Sequence, residues 1–594
     1  MMTMKRNIFV LIIVLLGLSG CEDYLDRKNL ASFDDANFWS SEGNMRLYSR
    51  GAYTAYFYGY GSGFAYGNFF TFGPWADEYS SSAIWTQNPA TSGNGWNFAY
   101  VRRHNLMLAR VEQMPVSDEA KNHWRGVARF YRAMEYADLA RAFGDIPWFE
   151  QELTPQSVEE NYKPRDPVQF VATKIMEDFE FAATNVRVND GVLDINRDIV
   201  LAFMSRHLLY FGTFLKYHNI DQAVATNLLT KAKWASEQLM NSGKYQVVDD
   251  YRGIFTSENL TGNKEVIHFR QYETAKCTHS LVSYNNQEPQ TGTTLRMVET
   301  YLASDGLPIK QSPVYNYASD NGLRLAPDQF KNRDPRLLAT LVDSVRIEGA
   351  HTGYSTTGFG CLKFLPYAAN PTDLIYNSST NISDAPVIRY GEILLNFAEA
   401  SAELGQFTQA EADRSINLLR NRSIKKNNAG SALPKLPPMT VSGTNVLANG
   451  VLVNDPDRDP SVSPLIWEIR RERTVELIFE GFRKNDLKRW KKFEYLKTVE
   501  TSGPTVLGKG AFIDLSKFPA ATRTKIVAAV KFVYPIAGDQ NKAFIYNLYD
   551  ANQRRDWKPG DPYYERQYLN CVPLDQIKLY SDLGYELKQN PGWQ

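Results

Sequence analysis

The chain has 594 residues, of which 43% are hydrophobic and 22% are charged. This composition is typical of globular proteins and argues against a disordered or collagen-like chain. The 66 basic and 66 acidic residues give a formal net charge of zero, which argues against a nucleic-acid-binding protein and against polybasic attachment to a membrane. The length predicts two to four average domains, or one large domain with insertions.

The N-terminus is typical of a secretory signal peptide. Lys5 and Arg6 precede an apolar run over residues 8–16, which is too short to cross a hydrocarbon core of about 30 Å. The run leads to the sequence Leu-Ser-Gly-Cys at residues 18–21, which resembles a bacterial lipobox, where the signal is cut before the cysteine. The resemblance implies a signal peptide over residues 1–20 and a lipidated Cys21. The alternative is an ordinary signal peptide with a chance cysteine.

Three further cysteines remain, Cys277, Cys361 and Cys571. The chain has no CxxC pair, which argues against a zinc ribbon or a thioredoxin-like site. Cys277 and Cys361 would be free to pair in an oxidising compartment, but their spacing gives no support for a disulfide. No second apolar stretch approaches transmembrane length, so we expect a chain that is anchored to a membrane and does not span it.

The first segment of the body, residues 33–96, is rich in Gly, Tyr, Phe, Trp and Ser. Residues 59–63, Gly-Tyr-Gly-Ser-Gly, superficially resemble a dinucleotide-binding loop. No β-branched strand precedes them, and the third glycine is misplaced for GxGxxG. We expect an aromatic, flexible loop here.

Helical periodicity begins at His104. Over residues 124–143, one apolar stripe recurs at three- and four-residue steps and a second stripe lies beside it, so this helix is expected to pack on two sides, as in a layered array. Gly144 is a predicted C-cap. The next helix is expected to begin with Asp166 as N-cap and Pro167 as its first residue.

Further helices are predicted at residues 199–214 and 223–239, and short connections between paired helices indicate tetratricopeptide-like repeats. Residues 245–384 are mixed and polar, and we expect an irregular insertion with short strands. Helices return at residues 387–404 and 410–422, followed by a loop over residues 427–459, a charged helix over residues 464–492 and a mixed tail.

The predicted fold class is therefore mainly α. We expect tetratricopeptide-like helix pairs that form a right-handed superhelical scaffold, with a loop-rich mixed region that carries short strands. The expected organisation is a signal peptide at 1–20, an N-terminal helical region at 21–255 and a C-terminal region at 256–594. The C-terminal region contains the insertion (245–384), the helices of 385–492 and the mixed tail, and the whole is expected to form one compact unit.

Several sequence blocks occur in one order from end to end. They are Cys21, Tyr24-Leu25-Asp26, Phe38-Trp39, Gly51-Ala52-Tyr53, the FYRA of residues 130–133, the FGDIP of residues 143–147, the IRYGEILL of residues 388–395, the AEA of residues 398–400, the FEGFR of residues 479–483, the DLKRW of residues 486–490 and the QNPG of residues 589–592. In this order the chain resembles the SusD/RagB family of surface lipoproteins of Bacteroidetes.

The resemblance implies a SusD-like, TPR-like lipoprotein on the cell surface, anchored in the outer membrane by the lipid on Cys21. Such a protein serves carbohydrate uptake by holding a glycan for a SusC-like TonB-dependent transporter, which is the expected partner. The family's members bind their ligand without catalysis. The resemblance implies no cofactor, no nucleic-acid partner and no contact with the membrane beyond the lipid.

The aromatic-rich segment and the insertion hold the candidate ligand-binding residues. A sugar has flat apolar faces and a rim of hydroxyls, so a binding site is expected to combine Trp or Tyr faces with hydrogen-bonding side chains. The family's ligand-contacting aromatic residues tend to come from these two parts of the chain. The candidates are Trp75, Tyr79, Trp85, Asn88, Trp96, Tyr284, Asn285, Asn286, Tyr301 and Tyr315, with Tyr317 beside them.

No enzyme motif is evident. The seven histidines form no HExxH or other metal spacing, and GxSxG and Walker A motifs are absent. No EF-hand-like pattern indicates Ca²⁺. The charges of residues 468–476 are expected to be a structural network of pairs three or four residues apart along a helix, and not an acid/base cluster.

Three alternatives to glycan capture remain open. A related importer lipoprotein that binds a peptide would keep the fold and the transporter. A surface glycoside hydrolase would need two carboxylates at a defined separation, which sequence alone does not exclude. A pure scaffold would use the helices to hold another protein and would bind no small ligand.

Overall fold

The computed structural model describes residues 38–66, 75–81, 89–287, 291–347, 355–367, 378–425, 431–496, 508–546 and 560–593. The predicted signal peptide, Cys21, Trp85 and Asn88 lie outside these residues.

Within the part of the chain that the structure describes, seven long helices form the scaffold. They are α1 (Ala99–Gln113), α2 (Asp118–Phe143), α3 (Val168–Asn185), α4 (Arg197–Tyr217), α5 (Gln222–Asn241), α6 (Tyr390–Glu403) and α7 (Pro464–Glu476). Shorter helices are Glu42–Arg50, Tyr53–Tyr56, Val158–Asn161, Gly253–Thr256, Leu281–Gln287, Leu295–Thr300, Pro335–Thr340, Gln409–Asp413, Ile416–Arg420, Arg483–Arg489, Ala520–Ala529, Pro562–Glu565 and Leu574–Asp582.

The long helices pack in chain order. Helix α1 contacts α2, α2 contacts α3, α3 contacts α4, α4 contacts α5, α5 contacts α6 and α6 contacts α7. Helix α4 is buried on nearly all sides, because it packs on α3, α5 and α6. This layered array confirms the predicted fold class, which is mainly α with tetratricopeptide-like helix pairs.

Local capping explains several helix boundaries. The side chain of Ser117 accepts a hydrogen bond from Ala120 N at the start of α2, and Asn196 and Asp221 cap α4 and α5 in the same way. Gly144 ends α2 with φ of +74°, a conformation that glycine adopts without strain. The predicted C-cap is confirmed.

The fourteen strands of the described residues are short and lie mostly outside the helical array. They are β1 (Gly61–Ser62), β2 (Ala65–Tyr66), β3 (Tyr79–Ser81), β4 (Val266–Arg270), β5 (Thr291–Thr293), β6 (Leu341–Val345), β7 (Phe359–Cys361), β8 (Ala385–Arg389), β9 (Met439–Ser442), β10 (Asn445–Ala448), β11 (Val451–Leu452), β12 (Lys509–Asp514), β13 (Lys531–Val533) and β14 (Lys542–Tyr546). The pairs β3–β5, β4–β8 and β6–β7 and the sheet β12–β14–β13 are antiparallel, so the predicted short strands of the insertion and the mixed tail are confirmed.

Two large core clusters account for most of the apolar interior of the described residues. The larger one runs from Trp39 to Leu477 and unites the helices α1–α7. The second one unites the strands of the insertion with the tail, from Tyr60 to Ile545. Helix α4 is the one helix of the described ranges that is long and apolar enough to cross a membrane, but 94% of its apolar window is buried inside the protein, as expected of a central core helix.

Several local predictions were wrong. Pro167 is extended and α3 begins at Val168, because Asp166 pairs through its backbone with Ile146 and Asp145 Oδ1 accepts the hydrogen bond of Val168 N at 2.8 Å. Residues 385–389 form β8 before α6 begins.

Two predicted single helices are broken. The helix over 410–422 is divided into Gln409–Asp413 and Ile416–Arg420. The charged helix over 464–492 ends at Glu476 and resumes at Arg483. The chain reverses between them through Phe479 and Gly481, with φ of +65° and +81°.

Two predicted loops contain ordered strands. Residues 61–66 form the hairpin β1–β2, and Tyr60 is 1% exposed, so the glycine-rich segment is not a free loop. Part of the predicted loop over 427–459 folds as the sheet β9–β10–β11. Cys277 and Cys361 are free thiols, so these two cysteines are not paired in this structure.

The charged segment is a structural network, but its pairs do not mainly follow the helix. Within α7 the ion pair is Glu468 with Arg471. The other side chains pair across elements: Glu476 lies 2.8 Å from Arg389 and from Arg422. These groups are almost fully buried, which makes the network part of the core and not a solvated helix face.

Candidate functional site

A cleft of about 620 Å³ opens between α7, the helix Leu295–Thr300 and the strands of the tail. Its aromatic lining residues are Tyr317, Trp467, Trp490, Tyr495 and Phe544. Its basic lining residues are Arg296, Lys310, Arg470, Arg471, Arg483 and Lys509, and its acidic ones are Asp77, Glu299, Asp455 and Asp457. A concave site of this size that mixes rings with a few polar groups is typical of small-ligand sites.

One face of α7 forms a wall of the cleft. Ser463 caps the helix and Pro464 occupies its first turn, which fixes where the helix starts. Trp467, Arg471 and Thr474 then recur at steps of four and three residues, together with Arg470. Residues at this spacing lie on one side of a helix, so the sequence places all four toward the same space.

Two half-buried rings, Trp467 and Tyr495, stand next to each other at 6.5 Å between centroids. Trp467 Nε1 donates to Asp455 Oδ2 at 2.7 Å, and the Tyr495 hydroxyl donates to Asp459 Oδ2 at 2.6 Å. The polar tip of each ring is therefore fixed by a carboxylate, which fixes the orientation of the rings while part of each stays accessible.

A third half-buried ring, Tyr317, lines the cleft from the insertion. Its hydroxyl lies 3.5 Å from Glu299 Oε1. Burial raises the pKa of Glu299 above its ordinary value, against the lowering effect of Lys310. Lys310 Nζ in turn donates to Asp457 at 2.8 Å.

The floor of the cleft joins two distant parts of the chain. Arg483 donates to both carboxylate oxygens of Asp77, with Nη2 at 2.9 Å, and its Nη1 donates to Thr474 Oγ1 at 2.7 Å. Burial raises the pKa of Asp77, but Arg483 outweighs burial and the net pKa is below its ordinary value. The carboxylate is therefore charged and occupied by its partner.

The pairing of β3 with β5 brings Asp77 to the helix Leu295–Thr300. Tyr79 is the register partner of Thr293, and the hydroxyl of Thr294 donates to Asp77 O at 3.0 Å and accepts from Met297 N. One threonine thus caps the helix and holds the neighbouring segment, which sets Arg296 on the side of the cleft.

Arg470 is a buried cation of the lining. Its guanidinium lies 4.4 Å from the centroid of Trp490 and 4.8 Å from that of Tyr217, and Nη2 is 3.6 Å from Glu403 Oε1. None of its three nitrogens makes a hydrogen bond within the described part of the chain. Cation–π contacts therefore hold this cation in place.

None of the candidate residues whose side chains the structure describes lines this cleft. Tyr79, Tyr284, Tyr301 and Tyr315 are 1%, 5%, 0% and 6% exposed, so these rings present little surface to a ligand in this structure, and their assignment as ligand contacts stays a prediction. Large apolar rings gain more from burial than from solvent contact, and these rings fill the cores of the insertion.

The other candidates that the structure describes also make structural contacts. Trp75 is buried against Phe493, and Asn285 is buried with its amide donated to Leu281 O at 2.9 Å. Trp96 is half-buried and packs edge-on against Phe143 at 4.9 Å, which is a structural contact at the head of α1. The Asn286 side chain, Trp85 and Asn88 lie outside the part that the structure describes.

Sequence reasoning named Tyr317 but missed Trp467 and Tyr495. Trp467 lies within the predicted charged helix over residues 464–492, and Tyr495 lies just after it. The charge pattern predicted a structural role for this segment, and no aromatic cluster marks the two residues in the sequence. The sequence feature that indicates this side of the cleft is the spacing of Trp467, Arg470 and Arg471 along α7. Among the described residues, no group of three or more His, Cys, Asp or Glu side chains is placed to hold a metal ion.

Comparison with known proteins agrees with this architecture. A model described as "Starch-binding associating with outer membrane" matches residues 24–209. The SusD-like protein P38 of Formosa agariphila is 25% identical over 540 residues, which cover 84% of this chain and 93% of that protein.

Two solved structures share the fold. A SusD-like carbohydrate binding protein from Bacteroides fragilis superposes with a TM-score of 0.64 at 21% identity, over 91% of this chain and 99% of that chain. Surface glycan-binding protein A from Bacteroides fluxus gives a TM-score of 0.54 at 18% identity, over 93% and 100% of the two chains. A second family model, described as the SusD family, matches residues 258–593, more than half of the chain, and the protein therefore belongs to the SusD family.

Proposed function

We propose that the protein captures a glycan in the cleft between α7 and the helix Leu295–Thr300, without catalysis. The observation that carries the proposal is the pair of half-buried rings, Trp467 and Tyr495, whose polar tips are fixed by carboxylates. A fixed ring has little side-chain entropy left to lose when a sugar face stacks on it. Arginine, lysine and carboxylate groups around the rings are suited to the hydroxyls of the sugar.

The family relationship supports a role at the outer membrane, with capture of the ligand for import. The description of one matching family model names association with the outer membrane. The finer picture is our proposal: Cys21 carries the lipid anchor, the protein faces the cell exterior, and a SusC-like TonB-dependent transporter receives the glycan.

The arrangement of carboxylates supports binding without turnover. Asp77, Asp455 and Asp457 are each held by a basic partner, and a carboxylate that is occupied in this way is a poor proton donor or nucleophile. Glu299 is left as a single acid with a raised pKa, whereas glycoside hydrolysis requires two carboxyl groups that act together.

Replacement of Trp467 by Ala is the direct test of the cleft. The full-length chain in detergent micelles is titrated by calorimetry with a panel of oligosaccharides and peptides, and each mixture is assayed for cleavage products. We expect Trp467→Ala and Tyr495→Ala each to weaken glycan binding about 10-fold or more, since a buried aromatic contact contributes on the order of 1–2 kcal/mol.

The matched control is Trp234→Ala, because Trp234 is an exposed tryptophan of α5 (37% accessible) outside the cleft. It should leave affinity unchanged, and thermal unfolding of each variant separates lost contacts from lost folding. Products that accumulate in proportion to protein would contradict a non-catalytic role. Saturable binding of peptides and of no glycan would show that the ligand is a peptide.

A further inference from the structure

The cleft has more basic than acidic groups. Six basic and four acidic side chains line it among the described residues. Three of the carboxylates are neutralised within the lining: Asp77 by Arg483, Asp455 by Arg471 and Asp457 by Lys310. The groups left over are three cations, Arg296, Arg470 and Lys509, and one acid, Glu299.

Arg296 has hydrogen-bonding capacity to spare. Its Nη1 donates to the carbonyl of Tyr495 at 2.9 Å, and its Nη2 lies 3.9 Å from Asp77 Oδ2, beyond hydrogen-bonding distance. A guanidinium has five N–H donors in a fork that matches carboxylate and sulfate oxygens. The side chain is 33% exposed, so its unused donors are within reach of a ligand.

Lys509 is a second cation of the lining, and its charge acts on Glu299 from beyond ion-pair distance. Its Nζ lies 5.4 Å from the ring centroid of Phe544, and no described carboxylate stands within ion-pair distance of it. The strand β12 that begins at Lys509 contacts the helix that carries Arg296. The two cations therefore stand on neighbouring elements around the same cleft.

The two remaining groups, Arg470 and Glu299, do not cancel the positive charge of Arg296 and Lys509. Arg470 contacts the rings of Trp490 and Tyr217, and Glu403 at 3.6 Å offsets its charge. Glu299 lies beside the Tyr317 hydroxyl and is partly offset by Lys310. In a cleft shielded from water, such an imbalance favours an anion.

We propose that the ligand is an acidic glycan, whose carboxylate or sulfate ester is held by Arg296 and Lys509 while a sugar face stacks on Trp467 and Tyr495. This inference rests on the proposed capture function and names its substrate class. Uronic acids and sulfated sugars share the chemistry that the two cations recognise.

The test compares glycans that differ in charge alone. The full-length chain in detergent is titrated with oligogalacturonate and with its methyl ester, and with a sulfated galactan oligosaccharide and its desulfated form. We expect one acidic member to bind at least 10-fold more tightly than its neutral counterpart, and the affinity to fall with added salt. The two arms distinguish a carboxylate from a sulfate.

Variants assign the effect to the two cations. Arg296→Gln and Lys509→Gln should each weaken binding of the acidic glycan about 10-fold, because one charge-assisted hydrogen bond is lost, and should weaken binding of the neutral counterpart much less. Arg296→Lys keeps the charge and should retain part of the affinity. The exposed Arg523 provides the control, and Arg523→Gln should change nothing.

Each outcome decides a separate point. Equal affinity for charged and neutral glycans, with no effect of the two variants, would overturn the acidic substrate and leave glycan capture intact. A variant that weakens acidic and neutral glycans alike would give Arg296 a structural role. Binding of an oligoglutamate peptide in place of every glycan, or binding of no member of the panel, would overturn glycan capture as well.

Discussion

Glu78 carries a carboxyl group that is buried beside the cleft, at 3% exposure. Burial raises its pKa to about 8, and the charge of Asp77 adds to the shift while Arg483 opposes it. The folded protein therefore holds a proton on Glu78 that the unfolded chain, with a pKa near 4.5, releases. Since the native state binds more protons, this group lowers the free energy of unfolding as the pH rises from about 4.5 to 8.

We expect Glu78→Gln, which cannot ionise, to raise the free energy of unfolding at pH 8 by about 4 kcal/mol. At pH 4 the difference should vanish, because Glu78 is then protonated in both states. Urea denaturation at pH 4, 6 and 8 measures this, with Glu273→Gln, an exposed carboxylate paired with Lys276, as control. A difference that does not depend on pH would contradict a protonated Glu78.

The element that shapes the cleft is the turn between α7 and the helix Arg483–Arg489. Gly481 has φ of +81°, and this turn sends Arg483 back to Asp77 and Thr474. A side chain at position 481 is strained by about 1 kcal/mol. We expect Gly481→Ala to lower the unfolding free energy by about that amount and also to weaken ligand binding.

Gly584 is the matched control for Gly481, because its φ is +82° and an added Cβ would meet no atom within 4 Å. Gly584→Ala should cost similar stability and leave the affinity unchanged. Chemical denaturation and calorimetry on both variants separate the two effects. Equal affinity in both would show that the turn does not position Arg483 for binding.

The same elements show what sequence reasoning was able to predict. Apolar periodicity predicted α2, α4 and α5, because long helices with two buried stripes follow from local spacing alone. The strands β10 and β11 were missed although Asn449-Gly450 joins them with φ of +49° and +78°, which is a strong local hairpin signal. The break after Glu476 was not predictable from spacing, since it depends on Arg483 reaching Asp77 about 400 residues away.

The site was harder to predict than the fold for a related reason. Whether an aromatic ring is core or ligand platform depends on what packs over it, and Tyr301 and Trp467 carry no local mark that separates them. Tyr301 is enclosed by the insertion core, whereas Trp467 is left half-buried by the gap between α7 and the helix Leu295–Thr300. Only long-range packing distinguishes these two outcomes.

On the scale of the whole molecule, one buried ionic network joins the helical array to the insertion. Glu476 at the end of α7 accepts from Arg389 and Arg422 at 2.8 Å each and from Arg336 at 3.3 Å. All four side chains are at most 2% exposed. Arg389 and Arg422 also meet Glu265, at 2.9 and 2.7 Å, so the carboxylates and guanidiniums hold each other across two core clusters.

Glu476→Gln leaves three buried guanidiniums with less negative charge, and we expect it to lower the free energy of unfolding by about 3–5 kcal/mol. Burial raises the pKa of Glu476, but Arg422, Arg389 and Arg336 outweigh it and the net pKa is well below its ordinary value. The ionised Glu476 therefore adds to the free energy of unfolding above pH about 4.5, which is the pKa of this group in the unfolded chain. This contribution is lost as the pH falls below that value.

Denaturation from pH 7 to pH 3 checks both parts of this prediction. The wild-type chain should lose the advantage over Glu476→Gln as the pH falls, so the two curves should converge in acid. Glu160→Gln serves as control, because that glutamate is half-exposed and its ion pair with Lys163 lies at the surface, where such pairs contribute little. If Glu476→Gln were as stable as the control variant at pH 7, the network would be an incidental feature of the core, and the helical array and the insertion would be held together by apolar packing alone.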